Sequence, residues 1–492
     1  MTTHQSLALG FFIAIGLVLG VCGEDFKVTS AQQLIELLDI SKPNNFNANI
    51  TLLNDLDFSD SPLTTPFGTL SDSSCVSYTG VFEGNGHTIK GLVMNNTGSQ
   101  LIIPSGLFCG LGSATVQNLV IDSSCSFSGS MSVGALSCEL TGSLTVINVT
   151  NKADVSGSQG IGGFVGAIQG LEQGIEVTFK DCVNDGNITG HGMHGGFVGA
   201  IIYSGEVTMT FSGSINHANI SGEGYVGGFV GVIMENGDVT MNFSDSINNA
   251  NISGETGVGG FVGVIMENGK LTMTISNCTN TGMISAALGA GGLVGIIFTP
   301  SNVELSVLHI INSANKGNVS AKNTFACGLI CAGSYNVNTT VLNSINKGSV
   351  NAPMYAFGIT NIITKARNVV SMGEVNASSD SFTFWNASTN VDLFFGLDGK
   401  CVNCSEDSTL FVHSTNTDFY VVESGEHVND LLNAEVKKQN YGMFWTKELE
   451  LVEPSPSPSS QSGGLSGGNK HGVSVFWIGV VVALAAHVAM AQ

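Results

Sequence analysis

Gly162-Gly-Phe-Val-Gly-Ala-Ile168 returns as Gly195-Gly-Phe-Val-Gly-Ala-Ile201, Gly227-Gly-Phe-Val-Gly-Val-Ile233, Gly259-Gly-Phe-Val-Gly-Val-Ile265 and Gly291-Gly-Leu-Val-Gly-Ile-Ile297. The copies begin 33, 32, 32 and 32 residues apart. A fixed period of this length is the signature of a stacked repeat, in which each unit buries its apolar face only against its neighbours. The five segments therefore set the architecture of most of the chain.

Aligning the copies exposes two further columns. After each glycine segment comes a run of alternating polarity: Ile175, Val177, Phe179; Val207, Met209, Phe211; Val239, Met241, Phe243; Leu271, Met273, Ile275. Between them stand Glu176, Thr178, Thr208, Thr210, Thr240, Asn242, Thr272 and Thr274, so the run reads as a half-buried strand with its polar side outward. A third column follows, in which Asn151, Asn184, Asn216, Asn248, Asn280, Asn315 and Asn346 each open a short turn. An asparagine amide can bond both its own turn and the next coil, so seven in register predict a structural ladder at a solenoid corner. Three strands per unit with turns between them predict an all-β fold, a right-handed parallel β-helix. Degenerate copies at Gly106, Gly134, Gly328 and Gly358 bring the expected count to about nine or ten coils, a rod of ~45 Å at ~4.8 Å per coil.

Open sheet ends must be covered. Thr29 to Ile40, with Leu34, Ile35, Leu37 and Leu38, reads as a short amphipathic helix before a first strand at Ile50 to Leu53. It suits an N-terminal cap spanning residues 24–60. The repeats run over 61–375, and 376–452, with a helical pattern from Val428 to Lys438, suits a C-terminal cap or small module.

The 492 residues carry only 11% charged side chains, 64 glycines, and 16 Lys+Arg against 38 Asp+Glu, a net charge of -22. Arg367 is the single arginine, which argues against a phosphate-tracking nucleic-acid surface. Residues 1–23, with an apolar run from Leu7 to Val21, read as a signal peptide. Residues 453–472 form a Pro/Ser/Gly linker followed by an apolar tail over 473–492. Small residues, a polar spacer and a terminal apolar tail make a GPI-attachment signal, with Ser462 and Gly463 as candidate sites; a single membrane-spanning helix is the alternative. The expected location is thus the extracellular face of the plasma membrane, with the GPI lipid as the membrane partner.

Thirteen Asn-X-Ser/Thr sequons agree with an extracellular chain: Asn49, Asn95, Asn148, Asn187, Asn219, Asn242, Asn251, Asn277, Asn318, Asn338, Asn376, Asn386 and Asn403. Asn187, Asn219 and Asn251 should stack on consecutive coils at one corner. Loss of Cys22 with the signal peptide leaves ten cysteines, an even number suited to disulfides. Cys401 with Cys404 is one candidate pair. Cys109 and Cys138, nearly in register on adjacent coils, are another. Cys182 and Cys278 share a column three coils apart and cannot bridge.

Gly292-Leu293-Val294-Gly295, with the Phe variants before it, resembles the GLUG repeat, and Tyr78 to Ile89 looks like an opening strand of such chains. The resemblance covers residues 50–375. It implies a β-helical cell-surface or secreted protein, often an adhesin-like stalk. Some bacterial peptidases carry such accessory regions, yet no His-Glu-X-X-His occurs here.

Candidate chemistry is sparse. Glu223 and Glu255, and Glu235 and Glu267, would stack as carboxylate pairs able to raise a pKa or hold calcium. Residues 215–236 and 247–268 are near copies, so duplicated turn residues explain them more simply. His191 and His194 could offer two metal ligands, but an unsupported pair reads better as a loop. No catalytic, metal or cofactor residue is assigned and no cofactor is expected. If Phe164, Phe197, Phe229, Phe261 and Leu293 point inward, then Val165, Val198, Val230, Val262 and Val294 should face outward with Ala167, Ala200, Val232, Val264 and Ile296. Such a stripe is either a partner or self-association surface, or lies beneath the C-terminal segment. The expected function is a GPI-anchored adhesion or coat glycoprotein with an extracellular carbohydrate, protein or self partner; a β-helical polysaccharide-degrading enzyme is the alternative.

Overall fold

The computed structural model describes residues 24–396 apart from 73, 97–103, 172–173, 267, 300–305, 333–336, 362–364, 372, 378–379 and 385–390, together with the strands Phe419–Val421, Phe444–Trp445 and Leu451–Val452. Over this range the chain winds as a parallel β-solenoid. The coil at 207–238 shows the unit. β1 (Val207–Ser212) buries Val207, Met209 and Phe211 and turns Thr208 and Thr210 outward, as its alternation predicts. The chain bends at Gly213 (φ 58°) into β2 (Ile215–Asn216), passes the asparagine corner, and continues as β3 (Ile220–Gly222), β4 (Tyr225–Gly227) and β5 (Val230–Met234). Every strand pairs in parallel with its counterpart one coil on: Val207 with Val239, Asn216 with Asn248, Ile220 with Ile252, Val226 with Val258 and Val230 with Val262.

The coils at 114–140 and 144–169 hold three strands each, as the alternation predicts, whereas the coils beginning at 175 and 207 divide the same path into five. β2 and β4 span two and three residues, too few for a period-two signal to register. β1 and β2 belong to one sheet, β3 to β5 to a second. The column Met94, Phe127, Val155, Ile188, Ile220, Ile252, Ile284, Val319, Val350, Val375 has ten rungs and so nine complete turns, matching the expected count.

The interior is built from side-chain stacks. Phe197, Phe229 and Phe261 lie face to face with ring centroids 4.7 and 4.8 Å apart, and Phe211 meets Phe229 edge-on at 5.4 Å. Aromatic pairs of this geometry each contribute about 1 kcal/mol beyond their burial. The outward placement of Val165, Val198, Val230, Val262 and Val294 is wrong: all are fully buried in the main core. The chain bends at Gly228-Phe229, so two consecutive side chains, Phe229 and Val230, reach the interior around a corner where a straight strand would send them apart. Ala200, Val232, Val264 and Ile296 do lie outside that core, in a seam of their own. They are no exposed stripe, because the second sheet folds concavely between β4 and β5. Tyr225 packs into this seam, and Val264 fills the space that a side chain at Gly257 would need.

At the N-terminus, helix α1 (Ala31–Leu37) caps the rod as predicted, burying Ala31 and Leu34. Ser30 accepts from Gln33 N, and the Gln33 side chain accepts from Thr29 N at 2.8 Å, a reciprocal cap. A strand not foreseen, Asp25–Val28, pairs with Asn49–Leu52 before the first full coil. Stacking continues past Val375: Asp380–Phe384 and Val391–Gly396 pair in parallel with the preceding rungs. The expected signal peptide, the helix at 428–438, Cys401, Cys404, Asn386, Asn403, Glu267, Ser462, Gly463 and the apolar tail lie outside the described residues.

Cys109 bonds Cys75, not Cys138, with a Cα separation of 5.4 Å. Cys109 and Cys138 are indeed in register on adjacent rungs. In-register Cβ atoms on parallel rungs stay ~4.8 Å apart, beyond the roughly 3.8 Å that a disulfide needs. The segment before β-rung 77–78 folds back, pairing Thr69 with Cys75, and delivers a better-placed thiol. A second disulfide joins Cys327 and Cys331. Cys327-Gly-Leu-Ile-Cys331 is itself a copy of the glycine segment, with cysteines at its first and fifth residues, where the other copies have glycine: Cys327 aligns with Gly291, and Ile330 with Val294. Cys125, Cys138, Cys182 and Cys278 remain buried free thiols, so an even cysteine count does not mean complete pairing.

Candidate functional site

The asparagines at the corner are structural. Asn151, Asn184, Asn216, Asn248, Asn280, Asn315 and Asn346 are all fully buried. Each Nδ2 donates to Oδ1 of the next, at 2.9, 3.2, 2.8, 2.7, 2.7 and 2.7 Å. Most also donate to the carbonyl two residues on, as Asn248 does to Ala250 O at 3.1 Å.

A second ladder lies three residues earlier. Asn118, Asn148, Asp181, Gly213, Asp245, Asn277, Asn312 and Asn343 share one column and all adopt left-handed backbone, with φ between 48° and 58°. Asn, Asp and Gly tolerate that conformation best, so their recurrence was the readable signal. Here too amides stack: Asn277 Nδ2 donates to Asp245 Oδ1 at 3.1 Å, and Asn312 Nδ2 to Asn277 Oδ1 at 2.8 Å. A shorter third ladder runs through Ser204, Asn236 and Asn268 at the turn after β5.

The sequons separate by position. Asn95, Asn148, Asn187, Asn219, Asn242, Asn251 and Asn318 are exposed, while Asn49, Asn277, Asn338 and Asn376 are half-buried. Asn242 stands on the outer face of the first sheet between Thr210 and Thr274 on adjacent rungs. Asn187, Asn219 and Asn251 occupy one outer column on consecutive rungs, as the spacing predicts.

The remaining candidates do not assemble. Glu223 and Glu255 are in register and exposed; Glu223 Oε2 meets His191 Nδ1 at 3.1 Å with both side chains largely in solvent. Glu235 sits on an exposed left-handed turn. His191 and His194 part company: His191 is exposed at the edge of a shallow, open depression of about 280 Å³ lined by Ser130, Ser156, Ser158 and Thr189. His194 is a core residue in the column of Ile161 and Val226. Its Nδ1 lies 2.9 Å from Gly192 O, its Nε2 has no partner among the described residues, and burial pushes its pKa down to about 4. Among the described residues, no three His, Cys, Asp or Glu side chains converge.

The free thiols behave as core atoms. Cys182 and Cys278 share a column with Ser214, Ser246 and Ser313, and Cys182 N and Cys278 N donate to Ser214 Oγ and Ser313 Oγ. Burial pushes both thiols up to about 12 and Cys125 to about 11, far from a reactive thiolate.

No family model matches the chain. A stretch of 103 residues, 21% of this chain, is 36% identical to Halomucin of Haloquadratum walsbyi, and it spans 1% of that protein's length. Among solved structures, the chain is similar at a TM-score of 0.34 and 16% identity to a Bacteroides ovatus protein described as a "putative immunoglobulin A1 protease", over 87% of this chain and 92% of that one.

Proposed function

We propose that this chain is an extracellular glycoprotein of the GLUG-repeat kind, an adhesion or coat scaffold held to the plasma membrane through a GPI lipid on Ser462 or Gly463. The observation that carries this reading is the uniform outer face of the first sheet. There Thr178, Thr208, Thr210, Thr240, Asn242, Thr272 and Thr274 repeat in register from rung to rung. A surface that repeats along the rod offers the same contact many times over, which suits weak multivalent attachment to carbohydrate, protein or a second copy. The apolar seam is closed by its own fold, so the reading places recognition on polar faces. Treating intact cells with a phosphatidylinositol-specific phospholipase tests the anchor. Release of the chain into the medium is expected, and its retention on the cells would overturn the lipid attachment. Glycan-array binding by the released chain then separates a carbohydrate partner from a protein one.

A further inference from the structure

The sequon amides differ in which end the fold uses: in the outer corner column Asn187 Nδ2 donates to Asp154 Oδ1 at 3.3 Å, whereas the next three asparagines of that column spend only their oxygen. In the outer corner column, Asn219 Oδ1 accepts the backbone N–H of Asn251 at 3.3 Å, Asn251 Oδ1 that of Met283 at 2.9 Å, and Asn318 Oδ1 that of Ser349 at 3.0 Å. The oxygen of each amide is thus committed to the next rung. Each Nδ2 is left without a partner among the described residues, on an exposed side chain. In the left-handed column the reverse holds. Asn148 Nδ2 donates to Asn118 Oδ1 at 2.9 Å, and Asn277 is held at both ends, Nδ2 on Asp245 and Oδ1 under Asn312. There Nδ2 points at the preceding rung, ~4.8 Å away, so a sugar on it would have to enter the space between two coils.

We infer that the chain carries a row of N-linked glycans on Asn219, Asn251 and Asn318, along one corner of the rod, while Asn148 and Asn277 stay bare. The inference rests on the extracellular reading above. Transfer forms an Nδ2–C1 bond to the sugar, breaks the C1–O bond to a lipid-linked diphosphate donor, and removes one amide proton. The lipid diphosphate leaves. At Asn219, Asn251 and Asn318 the ladder uses no amide proton, so transfer removes none of its bonds; at Asn148 and Asn277 one of the two amide protons is held by the preceding rung, and a sugar on the same nitrogen would crowd that contact. Met283 interrupts the row and Ser349 ends it, since neither offers an amide.

The test is deglycosylation of the full-length chain, purified from the cells that make it, with a peptide N-glycosidase in heavy-oxygen water. Each formerly modified Asn becomes an isotope-labelled Asp readable by peptide mass mapping. Label at Asn219, Asn251 and Asn318 with none at Asn148 and Asn277 is expected. Ser253→Ala, which breaks only the Asn251 sequon, should delete that one label without shifting the melting temperature. Label at Asn277 or Asn148 in folded chain, or label elsewhere but not in the row, overturns the inference alone. A chain with no label at any sequon overturns the extracellular reading with it.

Discussion

Gly196 and Asn216 face each other across the interior of the solenoid: a Cβ on Gly196 would stand 2.8 Å from Asn216 Oδ1 and would overlap the carbonyl of Gly228. The same relation joins Gly228 with Asn248, Gly292 with Asn315 and Gly328 with Asn346. The glycine segment and the asparagine ladder, separate motifs along the chain, are therefore two sides of one packed contact. The second glycine of each copy is there because the ladder needs its space.

Gly196→Ala should destabilise its rungs by about 3 kcal/mol, because the new methyl meets backbone as well as the ladder and neither can give way. Stability in a repeat array is summed from nearest neighbours. Hydrogen exchange should therefore show protection lost chiefly in the coils around 196–230, and unchanged protection there would refute the contact.

Asn216→Ala should cost about 2 to 4 kcal/mol, since it removes two ladder bonds and leaves Asn184 and Asn248 with buried unmet amide groups. Asn249→Ala, one residue after the next ladder position and exposed, should stay within about 0.5 kcal/mol. Equal effects in chemical unfolding would contradict the ladder.

His194 predicts a pH dependence. Its folded pKa of about 4 lies below the unfolded value of about 6.5, so the unfolded chain binds the extra proton. Stability is therefore complete above about pH 6.5 and falls by about 3 kcal/mol as pH drops towards 4. His194→Ile, matching Ile161 in the same column, should raise the melting temperature at pH 7 by removing the unpartnered Nε2 and flatten this slope.

Cys125, Cys138, Cys182 and Cys278 should resist alkylation in the native chain and react fully once it is unfolded, as peptide mapping of those four sites can read. Cys182→Ser should be nearly neutral, because Ser214 and Ser246 already fill that column.

How much of this was written in the sequence depends on the length over which a pattern repeats. The 32-residue period, the outward Thr208 and Thr210, the helix around Leu34 and the Asn ladder all extend over many residues or many copies, and the structure reproduces them. The strands at Ile215–Asn216 and Tyr225–Gly227 are too short to leave a periodic trace, and their omission made Val230 look exposed. A bend sets that side chain, and bends are fixed by packing between elements. The Cys75–Cys109 bond depends on a fold-back outside the repeat. By contrast, the left-handed column and the Cys327–Cys331 pair were visible as substitutions within repeat columns. Of the site residues, Asn242 and the Asn187–Asn219–Asn251 row were legible from register alone, while the state of each amide required coordinates.

The scaffold is modular, each unit being stabilised by its neighbours. Deleting residues 216–247, so that Ile215 runs directly into Asn248, removes one unit and restores every column, because Ile215 aligns with Ile247. Small-angle scattering on the deleted chain should show a folded rod shorter by ~4.8 Å, with unchanged β-sheet circular dichroism. An expanded or unfolded chain would contradict the scaffold.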